Sequence, residues 1–235
     1  MVLDLASSLP AGRQVRDDKS MSYQLHQTEG IVLKRWSRGE GDAVLRLYTR
    51  DYGGVTLVAK GIRLEKSKLR GAVDLFSQTH VGFIAGKETY RLVHADLCEG
   101  RVSLHEDFLR YRAAGYVADL FCRSVADGQS DHALWLLLQE AFSFFSGEAF
   151  QEKTVAQSLH SFEIKFLKLL GYLPETMPHV ARMMVSRPFG SFTNTLSFED
   201  VEELSVFLRP LLEYALTQRW EDAPFVTSRA LHISV

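Results

Sequence analysis

The stretch DAVLRLYTRDYGGVTLVAKGI, Asp42–Ile62, decides the fold. In its first half Val44, Arg46 and Tyr48 alternate with Leu45, Leu47 and Thr49, the two-residue period of a strand whose faces meet different surroundings. Gly53 and Gly54 follow, and glycine takes positive φ cheaply, so a turn belongs there. Val55, Leu57 and Ala59 then oppose Thr56, Val58 and Lys60 in a second strand. On the N-terminal side, TEGIVLKRW (Thr28–Trp36) runs into the glycine-bearing turn RGEGD. On the C-terminal side, AVDLFSQTHVGFIAG and ETYRLVHADL form another strand pair around Gly86 and Lys87. Five short strands in about 70 residues are too few for two packed sheets, and a small closed barrel removes their exposed edges.

Past Leu97 the period changes from two to between three and four. SLHEDFLRYRAAGYVADLFCRSVADG, SDHALWLLLQEAFSFFSG and EKTVAQSLHSFEIKFLKLLG all read as helices. In the third, Val155, Leu159, Phe162, Phe166 and Leu169 make one apolar stripe, and Gly171 then Pro174 end it. Ser197 with Asp200 suits the start of a fourth helix, which Pro210 must kink or restart. The predicted class is α+β: a barrel over residues 21–100, then an all-α domain over 101–235. Residues 1–20 are polar and aperiodic and read as a disordered extension, leaving Met1 and Met21 both open as the start of translation.

Composition narrows the function classes. No apolar run approaches the roughly 18 residues that cross a bilayer, and the N-terminal segment lacks the charge and apolar pattern of a signal peptide. Two cysteines, Cys98 and Cys122, fit a reducing cytoplasmic location. The sequence holds no GxxxxGKS/T loop, no GxGxxG after a strand, no GxSxG elbow, no HExxH and no CxxC. Asp200, Glu202 and Glu203 are explained by a helix N-terminus, and His160 with Glu163 by a surface pair one turn apart. The expectation is a non-enzyme with no metal and no cofactor.

Charge is unevenly spread. Residues 28–94 carry twelve cations against seven acids, a net +5, while residues 95–235 carry twelve against nineteen, a net −7. The whole chain is −2. Between Lys60 and Arg70 lie five cations (Lys60, Arg63, Lys66, Lys68, Arg70) and one acid, Glu65. Lys34, Arg35, Trp36 and Arg38 set an aromatic among cations, and Arg46, Tyr48, Arg50 and Tyr52 repeat the mixture. Cations for phosphates and flat rings for bases are what single-stranded nucleic acid requires. Tyr48 could serve as a stacking ring or as core. The Lys60–Arg70 stretch reads as a flexible arm able to close over a bound strand.

The motifs EGIVLK (Glu29–Lys34), GExD (Gly39–Asp42), LYTRxYG (Leu47–Gly53), VAKGIR (Val58–Arg63) and KSKLRG (Lys66–Gly71) together resemble the bacterial recombination-repair family RecO. LHSFEIKFLKLLGYLP (Leu159–Pro174) and the closing TSRALHIS extend the resemblance from about residue 23 to the end. The resemblance implies an OB-fold barrel followed by helices, binding of single- and double-stranded DNA, and annealing of complementary strands. It further implies RecR and the C-terminal tail of single-strand-binding protein as partners, and indirect help in loading RecA at nucleoid gaps. Carried onto this chain, Lys34, Arg35, Lys60, Arg63, Lys66, Lys68 and Arg70 become DNA contacts, joined by Trp36 and Arg46 from the strand pattern. Many members bind zinc through four cysteines after LGYxP, but Glu175–Leu196 contains none, so packing alone is expected to hold that segment. Trp135, Leu136–Leu138, Phe142, Phe144 and Phe145 read mainly as core. The rival readings are an adaptor whose basic barrel meets an acidic protein, and a nuclease, against which the missing carboxylate constellation argues.

Overall fold

The computed structural model describes residues 24–86, 89–191 and 196–217. The predicted extension, both candidate starts, Lys87 and the TSRALHIS motif lie outside the described residues. Five strands close into a barrel: β1 (Leu25–Arg38), β2 (Asp42–Thr49), β3 (Gly53–Ala59), β4 (Gln78–Ala85) and β5 (Tyr90–Glu99), in the order β1-β2-β3-β5-β4. The β3–β5 pair is parallel and the others antiparallel, the five-stranded barrel expected from the sequence. Strand β1 serves two neighbours. Leu25–Ile31 pair with β4, Gly30–Arg38 pair with β2, and a bulge at Leu33 turns the strand between them.

The alternation read from Asp42–Ile62 sorts the two faces correctly. Leu45, Leu47, Val55, Leu57 and Ala59 fill the barrel with Val32, Val81, Phe83 and Leu92. The outer face is not left to water. Ile31, Leu33, Tyr48 and Phe76 join one apolar cluster with Val117, Phe121, Trp135, Phe142 and Phe162 of the helical half, so barrel and helices share a core.

The helices are α1 (Ser103–Glu106), α2 (Phe108–Ser124), α3 (His132–Ser146), α4 (Val155–Leu169), α5 (His179–Ser186) and α6 (Phe198–Thr217). Asp107 and Asp131 cap α2 and α3 by accepting from first-turn backbone N–H groups. Ser197 and Asp200 form the expected reciprocal box, at 3.1 Å in each direction. Gly171 follows α4 with φ +78°, the left-handed stop its place predicts. Helix α6 continues through Pro210 as one element, so of the kink or restart that the sequence suggested the restart does not occur. Helix α5 is an addition, eight residues that the sequence reading passed over. Its Val180, Ala181 and Met184 pack on Ile164, Leu167, Leu204 and Leu208, and so tie the cysteine-free segment to α4 and α6.

Helix α4 is buried on nearly every side, and this corrects the surface reading of His160 and Glu163. Both are buried, with His160 Nδ1 2.7 Å from Glu163 Oε2 and His160 Nε2 3.0 Å from Ser205 Oγ of α6. Tyr116 of α2 donates its hydroxyl to Glu163 Oε1. Burial pushes the Tyr116 phenol well above its usual pKa, and the Glu163 charge adds to this, so the hydroxyl remains a donor.

The α2–α3 connection lies across the barrel. Asp127 bridges to Gly53 and Gly54, and Gly128 N donates to Gly54 O at 3.2 Å. Tyr48 Oη accepts from Asp131 N at 3.2 Å and donates to Asp131 O at 3.3 Å. Gly53 has φ +63°, and a Cβ there would overlap the Gln129 carbonyl. Gly39 has nearly the same φ, +62°, with open space around it. Gly39→Ala is therefore expected to cost about 1 kcal/mol from backbone strain alone, and Gly53→Ala about 3 kcal/mol because the connection must also lift. Urea denaturation of the two variants measures the difference.

Candidate nucleic-acid interface

The strand 2–3 face that OB-folds commonly use for oligonucleotides is covered here. Tyr48 is 1% exposed and packs edge-on against Phe121, ring centroids 5.1 Å apart. Arg46 turns toward the helical half, donating to Thr56 Oγ1 at 3.1 Å and forming an ion pair with Asp127. Burial works against the Arg46 charge, but Asp127 more than offsets it and holds the guanidinium above its usual pKa. Arg46 is thus a mostly buried strut between barrel and connection. The open alternative for Tyr48 closes in favour of core.

The sequence-predicted cations from Lys60 to Arg70 gather at one end of the barrel. Lys60 follows β3, and the chain then passes through turns and a short 3-10 turn at Arg70–Ala72 to Phe76. This connection is no loose arm. Ile62 and Val73 are fully buried in the barrel cluster and pin both ends. Gly61 N donates to Asp42 Oδ1 at 2.8 Å, Arg63 N to Gly41 O at 2.9 Å, and an Arg63 guanidinium nitrogen to Gly39 O at 3.1 Å. The β1–β2 turn and the basic connection therefore form one surface.

On that surface Lys60, Arg63, Lys66, Lys68 and Arg70 are all exposed, and Arg38 stands beside them. Among the described residues none of these six has a carboxylate within ion-pair distance. Unpaired like charges in one place repel each other, and an anion laid across them removes that repulsion. Lys34 and Arg35 are partly engaged. Lys34 pairs with Asp119 of α2 at 2.7 Å, a carboxylate that also holds Arg123, and Arg35 pairs with Asp74 at 2.9 Å.

Trp36 is 46% exposed and lines a groove of about 490 Å³ where barrel and helices meet. Arg35 and Arg63 line the same groove from the barrel, and His105 and Tyr111 line it from the helical half. The sequence reading took neither His105 nor Tyr111 as a site residue. The signal was present in FLRYR, Phe108–Arg112, which interleaves aromatics and cations as Lys34–Arg38 does. Trp135, Leu137, Leu138, Phe142 and Phe145 are core as expected, while Leu136 is 44% exposed.

Among the described residues no group of three or more His, Cys, Asp or Glu side chains could hold a metal ion, and no helix is long and apolar enough to cross a membrane.

Comparison with known proteins matches two family models: Recombination protein O N terminal over residues 21–101, and Recombination protein O C terminal over residues 105–225. Similar proteins include the DNA repair protein RecO of Moorella thermoacetica, 33% identical over 150 residues, which is 64% of this chain and 54% of that protein. That of a Thermoanaerobacter species is 29% identical over 154 residues, 65% of this chain and 60% of its own length. That of Caldanaerobacter subterraneus is 31% identical over 150 residues, 63% of this chain and 59% of its own length. The aligned stretch thus spans less than two thirds of these relatives. The barrel and its basic end fall in the first matched region, the helical half in the second, and the chain belongs to the RecO family of recombination and DNA repair proteins.

Proposed function

We propose that this chain captures DNA through the basic end of its barrel and promotes annealing of complementary strands as a non-enzymatic mediator. The observation that carries the reading is the set of five exposed cations, Lys60 to Arg70, without a carboxylate partner among the described residues. Neutralising backbone phosphates releases counterions and lets two strands approach each other. Nothing in that step needs bond chemistry, a metal or a nucleotide. Away from the groove that Trp36 lines, the acidic helical half is ill-suited to track DNA and is assigned to protein partners. These are RecR and the C-terminal tail of single-strand-binding protein, with RecA loading as the indirect result. The proposed location is the cytoplasm, at the nucleoid.

The test is annealing of two complementary oligonucleotides, one carrying a fluorophore and the other a quencher, in EDTA without nucleotide. Acceleration that fades as salt rises is expected. Tight binding of an acidic polypeptide with no effect on annealing would favour the adaptor reading instead.

A further inference from the structure

Phe76 is the one non-glycine residue with positive φ among the described residues, at +66°, and it is buried to 2%. Backbone held in that region is strained, and such residues concentrate at ligand sites. Phe76 stands behind the groove. His105 stacks on it at 5.9 Å and Tyr111 meets its ring edge-on at 5.6 Å. His105 Nε2 donates to Leu75 O at 2.9 Å, which fixes the imidazole. Two rings of the helical half are thus held in place, and Tyr111 keeps 42% of its surface exposed. Trp36, also exposed, lines the groove from the barrel side.

The charge of the groove differs from that of the neighbouring connection. Asp74 lines it and pairs with Arg35, which leaves Arg63 as the cation not ion-paired. A phosphate gains more on the Lys60–Arg70 surface next to it. A nucleobase suits the groove better: neutral, flat and carrying edge donors and acceptors that an arginine and a carboxylate can meet. A volume of about 490 Å³ lies within the usual range for small-ligand sites.

We propose that the groove between β1 and α2 receives an unpaired base of a single strand, stacked on Tyr111 and Trp36, while the flanking phosphates lie on Lys60–Arg70. This rests on the DNA-binding reading above and adds the helical half to the DNA site. It also gives preference for unpaired over paired DNA, because a base inside a duplex cannot reach the rings.

The test compares a fluorescent oligothymidylate of about 15 nucleotides with an abasic oligomer of equal length, which carries the same phosphates and no bases. The folded chain is expected to bind the thymidylate about 5- to 150-fold tighter, the span of one stacked base. Tyr111→Ala and, separately, Trp36→Ala should shrink that ratio and leave the salt slope unchanged, and Tyr111→Phe should restore it. Equal affinity for the two oligomers with a normal salt slope would overturn the stacking proposal, leave the DNA reading intact and free the groove for a protein side chain. Equal weakening on both oligomers in the Trp36 and Tyr111 variants would overturn it as well. Failure to bind either oligomer would overturn the DNA-binding reading itself, and the proposal with it.

Discussion

Alanine at Lys60, Arg63, Lys66, Lys68 and Arg70 together is expected to weaken single-strand binding by about three orders of magnitude at about 0.1 M salt. Each phosphate contact on a single strand contributes about 0.7 to the log–log salt slope, so the slope should fall by about 3.5 if all five engage. The wild-type and variant affinities should then converge as salt approaches 1 M. Stability should change little, since all five side chains are exposed and, among the described residues, only Arg63 of the five donates from its side chain to the fold, to Gly39 O. Fluorescence anisotropy across a salt series, with a urea titration alongside, measures both quantities. Arg46→Ala should behave in the opposite way. It removes a partner of Asp127 and Thr56, and should lower stability with little effect on the salt slope.

Glu163→Ala is expected to destabilise the helical half by about 2–4 kcal/mol, the cost of leaving enclosed hydrogen-bond donors without their acceptor. Glu163 is 2% exposed and is the shared acceptor for Tyr116 of α2 and His160 of its own helix, which in turn reaches Ser205 of α6. Its loss leaves two buried polar groups without their partner. Tyr116→Phe removes a single donor and should cost about 1–2 kcal/mol. Because both changes remove the same Tyr116–Glu163 contact, the double variant should cost less than their sum. Urea denaturation of the three variants measures this. A cost below about 1 kcal/mol for Glu163→Ala would mean that water replaces the network.

The barrel was legible because its two faces meet different surroundings. Leu45 and Leu47 line a closed interior, and the period-two pattern of β2 reports this directly. The same pattern shows which side chains point outward but not what covers them. Arg46 therefore read as a DNA contact and Tyr48 as either a stacking ring or core, although Asp127 and Asp131, more than 80 residues later, close over both. Helix α4 misled for a related reason. A stripe at Val155, Leu159, Phe162 and Phe166 implies one buried face, whereas α2, α3, α5 and α6 all pack around the helix and bury His160 and Glu163 as well. Helix α5, set between Pro178 and Pro188, is too short for its period to stand out. The basic cluster needed no tertiary knowledge, because five cations so close in sequence stay together in any compact fold. His105 and Tyr111 reach Trp36 only when the α2 region docks on β1, and no local pattern encodes that approach.

The most direct test of the account is annealing of complementary oligonucleotides precoated with single-strand-binding protein, in EDTA, by the wild-type chain and by the five-alanine variant. The account predicts acceleration by the wild type alone, which would establish a metal-free mediator acting through the Lys60–Arg70 surface. Equal acceleration by both proteins would place the DNA contact elsewhere, and acceleration by neither would contradict the mediator reading.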